Sequence, residues 1–226
     1  MTLKRTVSTV GAVLLVLGVA SHASAANISF TGNFTADDNV QAFNFSLGAP
    51  SLVTLRAWSY AGGTNAAGQA IPRGGFDTIL ALFNQSTGAL IDQNDDGGCG
   101  SVSADALTGR CWDTFLQTSL SAGNYQVSVQ EYDNFANGPN LSDGFQRQGQ
   151  GNFTLGLTGA TDCPANQFID VSGSSPGRCR DSHWAFDILN VDAATEVPPS
   201  AVPEPATLVL LGSSLAFGAF TARRRR

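Results

Sequence analysis

Between residues 26 and 194, apolar and polar positions alternate with a period of two, and no helical period persists there. Asn27 to Gly32 alternates and then turns. Val40 to Leu47 (VQAFNFSL) alternates, with Val40, Ala42 and a phenylalanine register expected to face inward. Ser51 to Tyr60 (SLVTLRAWSY) sets Leu52 and Thr54 against Val53 and Leu55 on opposite faces. Phe76 to Phe83 is mostly apolar and bounded by glycines. Gln85-Ser86-Thr87-Gly88 is turn chemistry, and Ala89 to Asp92 begins a return strand. Phe115 to Leu120, a turn at Ser121-Ala122-Gly123, and Tyr125 to Gln130 read as a second pair of strands. Asn152 to Thr158 (NFTLGLT) reads as another strand. Trp184, Phe186 and Ile188 alternate as in a final strand closing the fold. Many short strands with Gly, Asn and Pro turns predict an all-β chain, an antiparallel β-sandwich or jelly roll.

The two ends depart from this pattern. Lys4 and Arg5 precede an apolar run from Val10 to Ala20 and then Ala23-Ser24-Ala25. This is the layout of a secretory signal peptide over residues 1–25, with its A-x-A site at Ala23 and Ala25; the run is short for a membrane anchor. At the other end a Pro-rich linker, 195–202, leads into Pro203-Glu204-Pro205, an apolar run from Ala206 to Ala222, and four arginines. The run sits at the lower limit for a single transmembrane helix, and the arginines hold its end in the cytoplasm. Tripeptide, span and basic cluster, in that order over residues 203–226, resemble the PEP-CTERM sorting signal of Gram-negative bacteria. The resemblance implies recognition by an exosortase, a membrane protease-transpeptidase, in bacteria that make exopolysaccharide. It implies export, transient membrane anchoring, and release to the cell surface or matrix. A tail anchor that stays in place is the plainer alternative.

Removing both ends sharpens the charge. The stretch between them has 6 basic and 17 acidic residues, a net charge near −11, and no lysine. Such a surface repels nucleic acid and anionic lipid, which excludes a nucleic-acid partner. Divalent cations and the polysaccharide around a cell are the natural partners.

The densest acidic feature follows the central hairpin: Asp92, Asn94, Asp95 and Asp96, closed by Gly97-Gly98. Asp92-x-Asn94-x-Asp96-Gly97 fits the first half of a calcium loop, but Ser103 stands where that loop requires a bidentate Glu. With strands on its flanks it is no EF-hand. It reads either as a calcium site on a β-loop, to which Asp77 adds an oxygen, or as a solvated turn capping its own backbone. The run from Asp77-Thr78-Ile79-Leu80-Ala81-Leu82-Phe83 through Asn94-Asp95-Asp96 to the strand Leu120–Val129 resembles the bacterial pre-peptidase C-terminal domain over residues 28–158. That resemblance implies a small β-sandwich, sometimes calcium-binding, with roles in binding, adhesion or stability and not catalysis.

Cys99, Cys111, Cys163 and Cys179 in an exported chain read as two disulfides. Three pairings exist, and nearest neighbours give Cys99–Cys111 and Cys163–Cys179; with no C-x-x-C and one histidine in the body, zinc is the weaker reading. His183 is a strand histidine without obvious partners. Gly173-Ser174-Ser175-Pro176-Gly177 matches a hydrolase elbow literally, but Pro176 has no N–H to donate to an oxyanion hole, so no catalytic residue is assigned. Six N-x-[ST] triplets, beginning at Asn27, fit Asn- and Ser/Thr-rich β-surfaces. Trp58, Tyr60, Trp112, Tyr132 and Trp184 are the candidate sugar platforms of a carbohydrate-binding module. A glycan hydrolase needs two carboxylates about 5–10 Å apart in a groove. A structural or adhesive surface domain is the reading the whole sequence favours.

Overall fold

The computed structural model describes residues 25–175 and 177–198. The expected signal peptide with Ala23, the C-terminal span and Pro203-Glu204-Pro205 lie outside the described residues. Two antiparallel sheets face each other. One contains β1 (Ala26–Asn33), β10 (His183–Val191), β3 (Ser51–Ala57) and β8 (Phe115–Leu120), in that order across the sheet. The other contains β11 (Ala193–Glu196), β2 (Val40–Leu47), β9 (Gly123–Glu131), β6 (Thr78–Asn84) and β7 (Leu90–Asn94). A two-stranded ribbon, β4 (Gly63–Thr64) and β5 (Ala70–Ile71), is separate. The expected all-β class holds, and among the described residues no helix is long and apolar enough to cross a membrane.

The core is one cluster drawn from both sheets: Phe43, Phe45 and Leu47 from β2, Val53 and Leu55 from β3, Leu80 and Leu82 from β6, Val127 and Val129 from β9, and Phe186 and Ile188 from β10. Each such side chain, fully buried, contributes roughly 1.5–3 kcal/mol. Val40 and Ala42, expected inside, lie half-exposed on the other face of β2, because the odd-numbered phenylalanines take the core. In β3 the same contest places Val53 and Leu55 inside and leaves Leu52 exposed. β6 is buried on both faces, which explains its unbroken apolar run. The long polar segment after β9 folds back over the β6–β7 hairpin, with Leu90 N donating to Pro139 O at 2.7 Å and Ala136 N to Gln93 Oε1 at 2.8 Å. The hairpin turn forms as expected. Asn84 Oδ1 accepts from Ser86 N and Thr87 N, both at 3.0 Å, and Gly88 takes φ 75°.

Three expected elements differ. NFTLGLT is not a strand: Phe153–Thr158 is a helix, α1. Buried Asp37 captures its first turn, accepting from Thr154 N at 3.0 Å and from Thr154 Oγ1, and Gly159 closes it in the left-handed conformation at φ 62°. The WAFDI strand, β10, does not close the fold but lies between β1 and β3. The last strand is β11. Thr195 and Glu196, read as the start of a linker, pair there with Asn44 and Phe43 of β2. The cysteines pair as nearest neighbours, Cys99–Cys111 and Cys163–Cys179.

Candidate functional site

One end of the sandwich collects carboxylates. Asp77 immediately precedes β6, and its carbonyl accepts Tyr132 N at 2.9 Å just past the end of β9. Asn94 ends β7, and the loop Asp95-Asp96-Gly97-Gly98 follows. Thr114 Oγ1 fastens this loop by donating to Asp95 O at 3.1 Å, and Gly97 N donates to Asp113 O at 3.0 Å. Gly97 is dictated by space: a Cβ there would stand 2.7 Å from Val102 Cγ1 and 2.8 Å from Phe115 Cβ. Those contacts answer for the glycine of the calcium-like spacing, metal or no metal.

Asp77 is about nine-tenths buried, and its Oδ1 has no hydrogen-bond partner. Burial, and then the charges of Asp96, Asp170, Asp95 and Asp113, push its carboxyl well above the ordinary range. Asp96 is pushed up to about 6 by burial and by Asp95, with Arg110 opposing. Burial also raises the Tyr132 phenol, and Asp133, Asp95, Asp77 and Asp96 add to it. The Asn94 Oδ1 is buried and unpartnered as well. Asp92 is different. It is exposed on β7, and its carboxylate accepts the N–H of Gln93 at 2.8 Å. The expected set Asp77, Asp92, Asn94, Asp95 and Asp96 therefore divides: Asp77, Asp95 and Asp96 share one electrostatic field, Asn94 offers a free oxygen beside them in sequence, and Asp92 stands apart. Among the described residues no group of three His, Cys, Asp or Glu side chains is gathered in metal-holding geometry. Unpartnered buried oxygens fit a hard cation that draws on carboxylate, amide and backbone donors together.

Four further buried acids surround this end, and sequence reasoning missed them. Glu131 has no partner at Oε2 and is raised well above the usual range by burial, then by Asp37, Asp77 and Asp170. Asp37 is saturated by Thr154 and by Phe168 N at 2.9 Å. Asp170 accepts Tyr60 Oη at 2.9 Å, and Asp113 accepts Tyr60 N and Ala61 N, both at 2.8 Å. Burial lifts Asp113 to about 6 against those backbone bonds. One signal was available: Tyr125, Val127 and Val129 face inward, so the same period of two carries Glu131 inside. Asp105, inside the Cys99–Cys111 loop, is the contrasting case. Burial alone would raise it, but paired bonds from Arg73 at 2.6 and 3.0 Å, bonds from Thr108, and nearby Arg180 hold it far below the usual range.

The aromatic candidates do not form an exposed row. Tyr60 and Trp184 are buried, and Trp58, Trp112 and Tyr132 are half-buried. The Trp58 ring lies between Arg56, 3.7 Å from its centroid, and Gly63, where a Cβ would come within 2.8 Å of the ring. Trp112 lies between Arg110 at 4.1 Å and Tyr60 at 5.2 Å. In each of these two tryptophans a guanidinium stacks on a ring face. His183 Nε2 bonds Pro72 O at 3.1 Å, and its other nitrogen meets Asp181. Shallow hollows of about 140 and 330 Å³ lie elsewhere, and neither is lined by a carboxylate.

At the opposite end of the chain, Val197 N donates to Ala42 O and Gln41 Nε2 to Val197 O, both at 2.9 Å, so the fold holds the backbone almost to the tail. Residues 201–226 match the PEP-CTERM protein-sorting motif. Such signals are recognised by exosortase, a membrane protein, and mark a chain that is exported and transiently anchored before processing. No curated protein matches the chain.

Proposed function

We propose that the sandwich is itself the delivered cargo: a non-catalytic structural or adhesive domain, processed by an exosortase and placed at the cell surface or in the exopolysaccharide matrix. The sorting motif carries this reading. An acidic, lysine-free body stapled by two disulfides supports it, as does the resemblance of residues 28–158 to the pre-peptidase C-terminal domain. Durability outside the cell is what such a part needs. The test is to express the full chain in a host with and without its exosortase and follow the protein by fractionation. Processing and matrix recovery should depend on the enzyme, and Glu204→Ala should leave the unprocessed chain in the inner-membrane fraction. Free release of processed protein into the medium, with none held by the matrix, would reject the structural role while leaving the sorting intact.

A further inference from the structure

We infer that β11 is a detachable strap: this last strand must leave β2 for the sorting signal to reach its exosortase, an inference that rests on exosortase processing of the chain. Covalent reach carries the argument. With β11 paired, the fold still grips Val197, whose N–H donates to Ala42 O at 2.9 Å and whose carbonyl accepts Gln41 Nε2 at 2.9 Å. The sorting match begins at residue 201, and Pro203 stands six positions after Val197. Six residues drawn out fully span about 20 Å at most. The enzyme must fit its cleft around that stretch while the whole sandwich stands against it. A peptide taken into a cleft is held extended through its backbone N–H and C=O groups, and the inward ones of 193–197 are already engaged by β2.

The sandwich is built to let β11 go. It is an edge strand of four residues in the five-stranded sheet. Ala193, Thr195 and Glu196 are exposed, and only Ala194 packs, half-buried, on the core. Neither disulfide crosses it. So short a segment, with little buried apolar surface, belongs to the part of a fold that opens most readily. The firm anchor lies just before it: Val191 is fully buried and sits opposite Ala26. From Val191 to Pro203 there are twelve positions, so release doubles the reach to about 40 Å. Charge acts in the same direction. β2 sets Val40 opposite Gln130 and β6 sets Thr78 opposite Glu131, so the chain leaves β11 at the sheet end that Asp37, Asp38 and Asp133 adjoin. An acidic end is repelled by anionic lipid and draws the tether tight until the strap opens.

A crosslink tests the strap in the full chain. Thr195 and Asn44 lie opposite each other in register, at the roughly 4.5–5.5 Å between Cα atoms that a disulfide spans. Thr195→Cys with Asn44→Cys therefore locks β11 onto β2, and the crosslinked peptide in a non-reducing digest confirms the bond. Processing is followed by pulse–chase in a host carrying the exosortase. The locked chain should be cleaved slower by roughly tenfold or more, because cleavage follows the fraction of chain that opens. Either cysteine alone should leave the rate unchanged. Inserting about eight Gly and Ser residues between Pro199 and Ser200 adds ~26 Å of reach and should restore the locked chain to the parent's rate. Cleavage of the locked chain at the parent's rate would overturn the strap. So would slow cleavage that the insertion does not relieve, which would trace the loss to misfolding. A parent chain left uncleaved would reject exosortase processing itself, and with it any need for release.

Discussion

Glu131 shows how much one side chain can govern here. It is buried at the inward register of β9 with an unbonded oxygen, and three neighbouring acids share its surroundings. Its carboxyl titrates higher in the folded chain than in the unfolded one, so the folded state favours the proton. The stability tied to that proton is complete below the ordinary carboxylate range, near pH 4, and drains away as pH rises toward the folded value. Asp113, raised to about 6, acts in the same direction between about pH 4 and 6. With chelator present, the melting temperature is therefore expected to fall from pH 4 to 8. Glu131→Gln should match the parent at pH 4 and exceed it at pH 8 by roughly 1–3 kcal/mol, the cost of one unsatisfied buried polar group. Equal slopes for the two proteins in a pH series of melts would place the proton elsewhere.

At the level of elements, strands of strict alternation were legible and short segments were not. VQAFNFSL, SLVTLRA and the hairpin around Gly88 declared themselves, because one face of each meets a core and the turn residues fix the register. NFTLGLT also alternates, but seven residues decide little alone; a carboxylate more than a hundred positions earlier made it a helix. Asp37→Ala should therefore unfasten α1 and the segment at Phe168 together, costing at least about 2 kcal/mol for the charged hydrogen bonds lost. Hydrogen exchange at Thr154 and Phe168 would report it. The acidic loop was visible from its spacing, whereas Asp170 and Asp113 carry no local signature, because long-range packing alone brings them to it. β11 was hidden by its small residues and by the prolines that follow at 198 and 199. Removing residues 193–198 is expected to bare the edge of β2 and produce oligomers by size-exclusion chromatography.

For the molecule as a whole, the disulfides share the work of holding the loops. Each closes a short loop, with separations of 12 and 16, and each is worth about 3 kcal/mol on the chain-entropy model. Cys99→Ser with Cys111→Ser should lower the urea midpoint accordingly and open the loop carrying Asp105 to proteases. The β1–β10 pairing reaches further. Ala26 lies opposite Val191 and Asn33 opposite His183, so the first strand of the domain waits for nearly the last. A chain that emerges N-terminus first cannot complete its four-stranded sheet until residue 191 is out, ten positions before the sorting match begins at 201. Folding and arrival of the tail at the membrane thus become nearly simultaneous events. Before then, the chain presents an unpaired β1 to whatever escorts it. Released chains truncated before residue 183 are expected to be digested by protease throughout, and those ending after 198 to be resistant.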